Sequence, residues 1–428
     1  MKNICIDCID NSVLRDYLLK ADKQGNCSYC DNDSVAIIES NTLIEFAGDR
    51  LLDSLYPISE ATPYESGMFY EGSDDIPFKE VAYIIQDDIG VGNEDFEDEL
   101  ASYVHDNCFS KDDLFILDDG EHDNNSYQTK WSSFVNSIAN KHRFFNKDAK
   151  IFLDSLFELI LDNGEIRKSV LTTLDCTTEL YRARVANSDI VRKQIVSNPA
   201  SQLGAVPANL AGEQRMTPTG ISSLYCALER ETCFSEVRAI TGDVILSGAF
   251  RPTEALQFLD LTKIHTLSQL SIDPFSEHYS DFSNKSAFIR SLMFLMSKPA
   301  SRNQSSDYLS TQVIFEYLSV KFGSKLSGLI FKSVQTGGDG TNVVFFPETS
   351  GVLPTERCFE ETKSVSEYRS DFGEYKYYFY SIVKPKAGLN RVHKPSGKLQ
   401  FIDGSLVVSE VKAVLTKTED IPIEVSVK

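Results

Sequence analysis

At 428 residues the chain is too long for one typical domain, and its 42% hydrophobic content excludes global disorder, so two or three folded domains are expected. Charge is unevenly placed: residues 1–175 hold 36 acidic and 14 basic side chains, a net of −22, whereas 176–428 hold 27 and 28, a net of +1. The acidic part would repel nucleic acid, while the near-neutral part can bind a small anion through a few arginines.

The sequence predicts no membrane association. No apolar run approaches the length of about 18 residues that a spanning helix needs. The N-terminal residues also lack a basic region followed by an apolar stretch, so no signal peptide is predicted. We therefore expect a cytoplasmic protein.

Four cysteines near the N-terminus have the spacing of a metal site. They form C-x2-C-x18-C-x2-C, and two such thiolate pairs supply the four soft ligands that structural zinc prefers. Two disulfides are the alternative, but without an export signal the thiols are expected to stay reduced. The sequence thus predicts a zinc module over residues 1–35, with Cys5, Cys8, Cys27 and Cys30 as ligands.

Residues 36–174 have the pattern of an acidic helical domain. Apolar residues recur three and four positions apart in five stretches, whereas 111–130 has the composition of an exposed loop. Its aromatic side chains are expected to fill a helical core and not to form a stacking platform. These aromatics are Trp131, Phe134, Phe144 and Phe145, and the predicted helices cover 40–56, 78–85, 94–106, 131–145 and 149–164.

Residues 175–428 alternate short β-rich runs with helical stretches. This mixture predicts an α+β fold with twisted, mainly antiparallel sheets. The last strands could close the sheet or pair between two copies of the chain, which leaves a homo-oligomer as one alternative. The predicted strands cover 179–185, 220–228, 256–262, 328–334, 342–347, 375–383, 398–402 and 405–415, and the helices 229–240, 284–297 and 308–323.

The glycine-rich segment 337–341 has two interpretations. It could be a phosphate-binding loop, as in NAD kinases and diacylglycerol kinases, or the turn of a β-hairpin. A phosphate loop should open a helix whose N–H groups bind the phosphate. Instead, β-branched and aromatic residues from Val343 to Phe346 lead into Pro347, which is typical of a strand. We therefore predict a hairpin, and expect the chemistry on its arms.

Polar residues in four segments of the C-terminal part are the candidates for this chemistry. Arginine forks suit a pyrophosphate, a carboxylate can stabilise a cationic transition state, and a tyrosine ring can stack on a ligand. Each residue also has a structural alternative, such as an ion pair, a packed aromatic or a solvent-facing carboxylate. The candidates are, in chain order, Arg182, Arg215, Tyr225, Glu236, Ser333 and Asn342.

In the order and spacing of these residues the sequence resembles the RES family of NAD-degrading toxins, whose fold is similar to that of ADP-ribosyltransferase toxins. The resemblance spans roughly residues 176–420 and is most specific over 215–236, where Arg, Gly, Tyr and Thr-x3-Glu follow one another. The Thr311-Gln312 pair and the four-cysteine, helical extension are similar to a longer variant of the family. The extension lacks an Arg-x4–6-His motif, so the ribonuclease activity of HEPN-type domains is not expected.

The resemblance implies an NAD phosphorylase, an NAD glycohydrolase or an ADP-ribosyltransferase that acts as a bacterial toxin or defence effector. NAD would be the substrate and phosphate or water the acceptor, and a separate antitoxin or trigger protein would control the enzyme. The implied roles are phosphate binding by Arg182 and Arg215, stacking by Tyr225, ribose and transition-state contact by Glu236, substrate positioning by Ser333 and NAD binding by Asn342.

Another interpretation is a non-catalytic protein whose zinc module docks a partner and whose C-terminal part binds NAD without releasing nicotinamide. Glu236 discriminates the two, because a scaffold does not need a carboxylate beside two arginines and a tyrosine. In the enzyme interpretation, the acidic N-terminal part could hold a basic partner or cover the active site.

Overall fold

The computed structural model describes residues 2–61, 69, 78–108, 114–120, 125–269, 272–297, 308–353, 361–369, 376–383 and 397–415. The chain forms two compact units, one of residues 1–133 with 266–291 and one of residues 134–265 with 292–428. None of the helices in the described ranges is long and apolar enough to cross a membrane.

The first unit combines helices with two small sheets. Strands β1, β3 and β2 form one antiparallel sheet in that order, and β4 pairs with β5. The elements are β1 (Asn3–Cys5), α1 (Ser12–Leu19), β2 (Gln24–Gly25), β3 (Val35–Glu39), α2 (Ser40–Leu52), β4 (Leu55–Pro57), α3 (Val81–Tyr83, continued by a π-helix over Ile84–Ile89), α4 (Glu94–Asn107) and β5 (Phe115–Leu117).

Helices α2 and α4 pack together around the apolar core of this unit. Leu43, Leu51, Phe96 and Leu100 are fully buried there, since they recur at helical spacing on the facing sides of the two helices. The helix predicted at 94–106 is thus confirmed, and the one predicted at 40–56 is confirmed as far as Leu52, whereas Leu55 and Tyr56 belong to β4.

The expectation of helices alone over residues 36–174 was wrong for six short strands of the described chain. Most of β3 and all of β4 and β5 fall in this region, as do later strands at Leu161–Asp162, Glu165–Ile166 and Leu171–Leu174, so the helix predicted over 149–164 ends before Leu161. Within the predicted loop 111–130, Phe115 is buried on β5 because it pairs with Pro57 and packs in the core of the unit. Residues 111–113 and 121–124 of that loop lie outside the described part of the chain.

The remaining helices and strands run from residue 125 to residue 410. The helices are α5 (Asn125–Asn140), α6 (Lys147–Leu156), α7 (Asp189–Ser197), α8 (Pro199–Gln202), α9 (Arg230–Glu236), α10 (Tyr279–Ser297) and α11 (Leu309–Phe322). The strands are β6 (Leu161–Asp162), β7 (Glu165–Ile166), β8 (Leu171–Leu174), β9 (Leu180–Val185), β10 (Tyr225–Ala227), β11 (Val244–Pro252), β12 (Leu256–Asp260), β13 (Gly328–Lys332), β14 (Thr341–Phe345), β15 (Glu361–Arg369), β16 (Lys376–Val383), β17 (Leu399–Phe401) and β18 (Val407–Glu410).

A nine-stranded sheet is the framework of the second unit. Its order is β17-β11-β9-β10-β14-β13-β12-β8, and β18 also pairs with β11. Only the β12–β13 pair in this sheet is parallel, so the predicted α+β fold with a mainly antiparallel sheet is confirmed. Helix α9 packs against β9 and β10, which brings its C-terminal end to the strands that carry the candidate residues.

Strand β11 is the longest strand of this sheet, and the sequence pattern did not reveal it. Ser247 and Gly248 interrupt its apolar run, which weakens the strand signal. The glycine is required by packing, because a Cβ there would lie 2.7 Å from a ring carbon of Phe401. Gly248 thus lowers the strand propensity of β11, but its lack of a side chain leaves room for Phe401 on β17.

The four aromatic residues predicted to fill a helical core divide into two groups. Phe134 is buried and Trp131 is half-buried, as expected. Phe144 and Phe145 are exposed, so the prediction was wrong for this pair. Helix α5 ends at Asn140, and both residues lie on the turn that follows it.

Candidate active site

The glycine-rich segment is the turn between two paired strands. β13 and β14 pair antiparallel along their whole length. Gly337 and Gly338 have φ angles of +70° and +92°, a region that residues with side chains rarely adopt. Because a strand follows the glycines, no helix N-terminus is offered to a phosphate. The predicted hairpin is confirmed, and the kinase interpretation loses its structural basis.

A carboxylate on the neighbouring helix is held by both arms of this hairpin. Glu236 ends α9, and its Oε1 accepts hydrogen bonds from Ser333 Oγ at 2.6 Å and from Asn342 Nδ2 at 2.7 Å. Ser333 is fully buried and Asn342 nearly so, while Glu236 lines a cavity. The two bonds fix the orientation of the carboxylate, since hydrogen bonds to an ionised acceptor are strong.

Glu229, which accepts a bond from Thr232 one helical turn before Glu236, joins the start of the helix to the hairpin. Thr232 Oγ1 donates to Glu229 Oε2 at 2.9 Å, and the same oxygen accepts the Thr341 N–H at 2.9 Å. The hairpin approaches so closely that a Cβ on Gly340 would lie 2.2 Å from Thr232 Oγ1. In the Thr-x3-Glu pattern, the threonine therefore positions the element and the glutamate faces the cavity.

Two of the predicted arginines line this cavity. Burial lowers the pKa of Arg182 on β9, and its Nη1 is shielded from solvent without a hydrogen-bond partner among the described residues. The Arg215 guanidinium carbon lies 5.9 Å from the centroid of the Phe331 ring. Arg184, also on β9, instead donates to Gln202 Oε1 at 2.9 Å and does not line the cavity. A buried guanidinium without a partner is suited to an anionic ligand.

The loop that carries Arg215 is fastened to the first turn of α11. Thr311 Oγ1 donates to the Arg215 carbonyl oxygen at 2.6 Å, and Gln312 Nε2 donates to the Gln214 carbonyl oxygen at 2.9 Å. The Gln214 N–H in turn donates to the Thr217 carbonyl oxygen at 2.8 Å. The Thr311-Gln312 pair noted in the sequence thus positions the arginine loop.

Tyr225 lies on β10 and lines the cavity with its ring half-buried. Its hydroxyl oxygen accepts the Met216 N–H at 3.1 Å, which joins the strand to the arginine loop. Burial raises the pKa of Tyr225, so the phenol is neutral near pH 7. The cavity therefore has a neutral aromatic wall on which a planar ligand can stack.

The cavity has a volume of about 470 Å³, within the range of small-molecule sites. It brings together Arg182, Arg215, Tyr225, Glu236 and Asn342, while Ser333 lies behind Glu236 and outside the lining. Sequence reasoning missed several other lining residues, although three of them are close in the chain to Arg215 or Glu236. They are Glu213, Gln214, Arg238, Tyr308 and Phe331.

Among these lining residues, Arg238 has an uncommon backbone conformation. Its φ of +50° is uncommon for a residue with a side chain, and such conformations cluster at functional sites. Arg238 therefore lines the cavity from a turn that closely follows α9.

The fold and cavity together define an α+β domain with an arginine-lined, carboxylate-containing pocket. Residues 179–361 match the family model of the RES domain, and residues 20–151 match that of HEPN/RES N-terminal domain 1. The chain is a RES-domain family protein with an N-terminal extension, and the resemblance seen in the sequence is confirmed. This family is associated with NAD-related toxin–antitoxin systems. Comparisons with curated proteins and with solved structures found no match.

The four N-terminal cysteines come together as a cluster in the first unit. The Sγ atom of Cys5 lies 3.7 Å from that of Cys8 and 3.6 Å from that of Cys30. The Sγ atoms of Cys8 and Cys27 are 3.8 Å apart. Four ligands placed tetrahedrally at Zn–S distances of about 2.3 Å have a spacing of about 3.8 Å. The Tyr29 N–H donates to Cys27 Sγ at 3.4 Å and orients one ligand. The cluster can therefore hold a metal ion.

Proposed function

We propose that the second unit cleaves the bond between nicotinamide and ribose in NAD. One observation carries this proposal: the Glu236 carboxylate is fixed by Ser333 and Asn342 on the wall of a cavity that also contains Arg182 and Arg215. The two arginines can bind an anionic group, and the fixed carboxylate of Glu236 supplies a negative charge that is already in place. Breaking the nicotinamide–ribose bond requires both, because the substrate has a pyrophosphate and the transition state has a cationic sugar.

The arginines bind the anionic part of the substrate. Arg182 Nη1 has no partner among the described residues, so a pyrophosphate oxygen supplies the acceptor it lacks. The main-chain carbonyl of Arg215 is held by Thr311, so the loop that carries the guanidinium is fixed before the substrate binds. The ring of Tyr225 stacks on the nicotinamide or its ribose and directs that end toward Glu236.

Glu236 acts on the reacting bond. As the C1″–N bond breaks, its electron pair leaves with neutral nicotinamide, and positive charge develops on the ribose. The carboxylate of Glu236 stabilises this charge and accepts a hydrogen bond from a ribose hydroxyl. Water or inorganic phosphate then attacks C1″ and releases a proton to solvent when water is the acceptor. The products are nicotinamide with ADP-ribose or ADP-ribose-1″-phosphate.

The proposal extends to the rest of the chain. Residues 175–428 form the catalytic domain, preceded by the zinc module of residues 1–35 and the acidic helical domain of residues 36–174. The four cysteines bind a structural zinc ion, which holds their loops together when bound and takes no part in the reaction. The enzyme acts on cytoplasmic NAD as a toxin or defence effector, in keeping with the association of its family. Its acidic N-terminal part, with a net charge of −22, receives a basic control protein.

The test is product analysis after incubation of the full chain with NAD, with and without inorganic phosphate. We expect nicotinamide release by the wild type, loss of release in Arg215→Ala and Glu236→Gln, and wild-type release in the matched control Arg184→Ala. Arg184 is the control because it bonds Gln202 and does not line the cavity. The ribosyl product identifies the acceptor.

Two results would overturn the proposal. NAD binding by the full chain without nicotinamide release would favour the non-catalytic protein. Equal release by Glu236→Gln and the wild type would move the chemistry to another site.

A further inference from the structure

A second residue that lines the cavity has a buried polar side-chain atom without a partner among the described residues. Gln214 lines the cavity, and its side-chain Oε1 is shielded from solvent without a hydrogen bond among the described residues. Buried amide oxygens are almost always paired, and one that is not calls for a bound water, an ion or a functional role. Neither the sequence pattern nor the family resemblance pointed to this residue.

The backbone of Gln214 is held by hydrogen bonds at both its N–H and its carbonyl group. Its N–H donates to the Thr217 carbonyl oxygen at 2.8 Å, and its carbonyl oxygen accepts Gln312 Nε2 at 2.9 Å. The neighbouring Arg215 carbonyl oxygen is held by Thr311 at 2.6 Å. These bonds fix the backbone on both sides of the position from which the Gln214 side chain extends.

The unpartnered atoms of these two lining residues differ in their hydrogen-bonding role. Arg182 Nη1 is a donor and needs an acceptor, whereas Gln214 Oε1 is an acceptor and needs a donor. A ligand that satisfies both must combine an anionic group with an N–H or O–H group. Inorganic phosphate near pH 7 carries both an anionic oxygen and an O–H group, whereas NAD presents its pyrophosphate and its N–H groups at separate points of one molecule.

We propose that Gln214 is a specificity-determining residue that accepts a hydrogen bond from an N–H group of NAD. This inference rests on the proposed function. Two groups of NAD carry such an N–H, the carboxamide of nicotinamide and the exocyclic amine of adenine. The ribose hydroxyls also donate, but next to the reacting bond they are the partners of Glu236. A site that hydrogen-bonds such a group discriminates against analogues that lack it, because its own buried atom is then left unpaired.

The experiment compares three dinucleotides as substrates. They are NAD, nicotinic acid adenine dinucleotide, whose carboxamide is replaced by a carboxylate, and nicotinamide hypoxanthine dinucleotide, whose adenine amine is replaced by a carbonyl. Release of the pyridine base gives kcat/KM for the wild type, Gln214→Leu, Gln214→Glu and the control Gln400→Leu. Gln400 is exposed on β17 and does not line the cavity. Binding of each dinucleotide is measured in parallel by calorimetry.

The wild type should prefer NAD over one of the two analogues by about tenfold or more, and Gln214→Leu should reduce that preference to about twofold. If the variant loses the preference for NAD over one analogue, the group that this analogue lacks is the one that Gln214 contacts. Gln214→Glu keeps an acceptor and cannot donate, so it should retain the preference even if its added charge slows every substrate. Gln400→Leu should match the wild type.

Other results would overturn the inference in separable ways. NAD cleavage with the same preferences in Gln214→Leu as in the wild type would exclude this role while leaving the proposed function intact. Loss of the preference in Gln214→Glu as well would mean that the side chain donates, which contradicts an acceptor role. No cleavage and no binding of any dinucleotide by the wild type would end the proposed function and this inference together.

Discussion

Glu236 and Ser333 are joined by a hydrogen bond of 2.6 Å, although 97 residues separate them in the chain. The bond links the end of α9 to the arm of the glycine-turn hairpin. Asn342, on the other arm, donates to the same carboxylate oxygen at 2.7 Å. The hairpin thus holds the carboxylate with two side chains, and its glycines serve to bring the two arms together.

Ser333 should affect catalysis through Glu236 and not through substrate binding. Its side chain is buried behind the carboxylate and does not line the cavity. Ser333→Ala should lower kcat for nicotinamide release by about tenfold, because one hydrogen bond to a charged group is lost, while KM for NAD changes by less than about twofold. Ser235→Ala is the control, since that hydroxyl bonds a carbonyl on its own helix. An unchanged kcat for Ser333→Ala would contradict this role.

Thr311 should matter for substrate affinity, because it holds the loop that carries Arg215. Thr311→Val keeps the shape of the side chain but removes the donor to the Arg215 carbonyl oxygen. The buried carbonyl then lacks this bond, so we expect KM for NAD to rise by about three- to tenfold and stability to fall by about 1 kcal/mol. Steady-state kinetics and denaturant unfolding measure the two effects. Ser319→Ala, toward the other end of α11, should leave KM unchanged; a similar rise in KM there would point to a general effect on the helix.

The cysteine cluster should bind one zinc ion and stabilise the first unit. Metal analysis of the purified chain should find one zinc per chain, and removal with a strong chelator should lower the melting temperature. Cys27→Ser should reproduce both losses, whereas Cys176→Ser, an exposed cysteine outside the cluster, should reproduce neither. A full-length wild type that contains no metal and is insensitive to chelation would contradict the zinc assignment.

Asp154 should make the second unit sensitive to acid. Hydrogen bonds from Lys150, Lys321 and Tyr317 hold the pKa of this carboxyl well below its usual range. Its contribution to stability is therefore present above the unfolded-state pKa of about 4 and is lost as the pH falls toward the folded-state pKa. Because 33% of the side chain is exposed, screening limits the effect to about 1 kcal/mol.

The measurement is the free energy of unfolding of the wild type and Asp154→Asn between about pH 7 and pH 2. The wild type should be the more stable above pH 5, and the difference should vanish toward pH 2. Asp148→Asn, an exposed position on the same helix, is the control. A difference between wild type and Asp154→Asn that stays constant with pH would refute the electrostatic explanation.

The sequence was most informative where local pattern and tertiary structure agree. The hairpin could be predicted because Val343 and Val344 follow the glycines directly, and β-branched residues there exclude a helix opening. Helices α2 and α4 were predictable because their apolar residues recur at helical spacing. The cysteine spacing likewise anticipated a cluster that the fold assembles.

The rest depends on contacts between distant residues. No spacing rule connects Thr311 with Arg215, which are 96 positions apart, yet this contact orients the arginine loop. Gln214 has no local signal at all, because its significance is an oxygen that the fold buries without a partner. Phe144 and Phe145 show the reverse case, in which an aromatic pair typical of a core lies on an exposed turn.

The most direct test of the account is the rate of nicotinamide release from saturating NAD by the wild type and by Glu236→Gln. The substitution keeps the size of the side chain and removes its charge, so binding should persist while the cationic transition state loses its stabilisation. We expect release by the wild type and a rate about 10²- to 10³-fold lower for Glu236→Gln. Equal rates for the two proteins would contradict the assignment of Glu236, and the absence of release from a wild type that binds NAD would contradict the proposed activity.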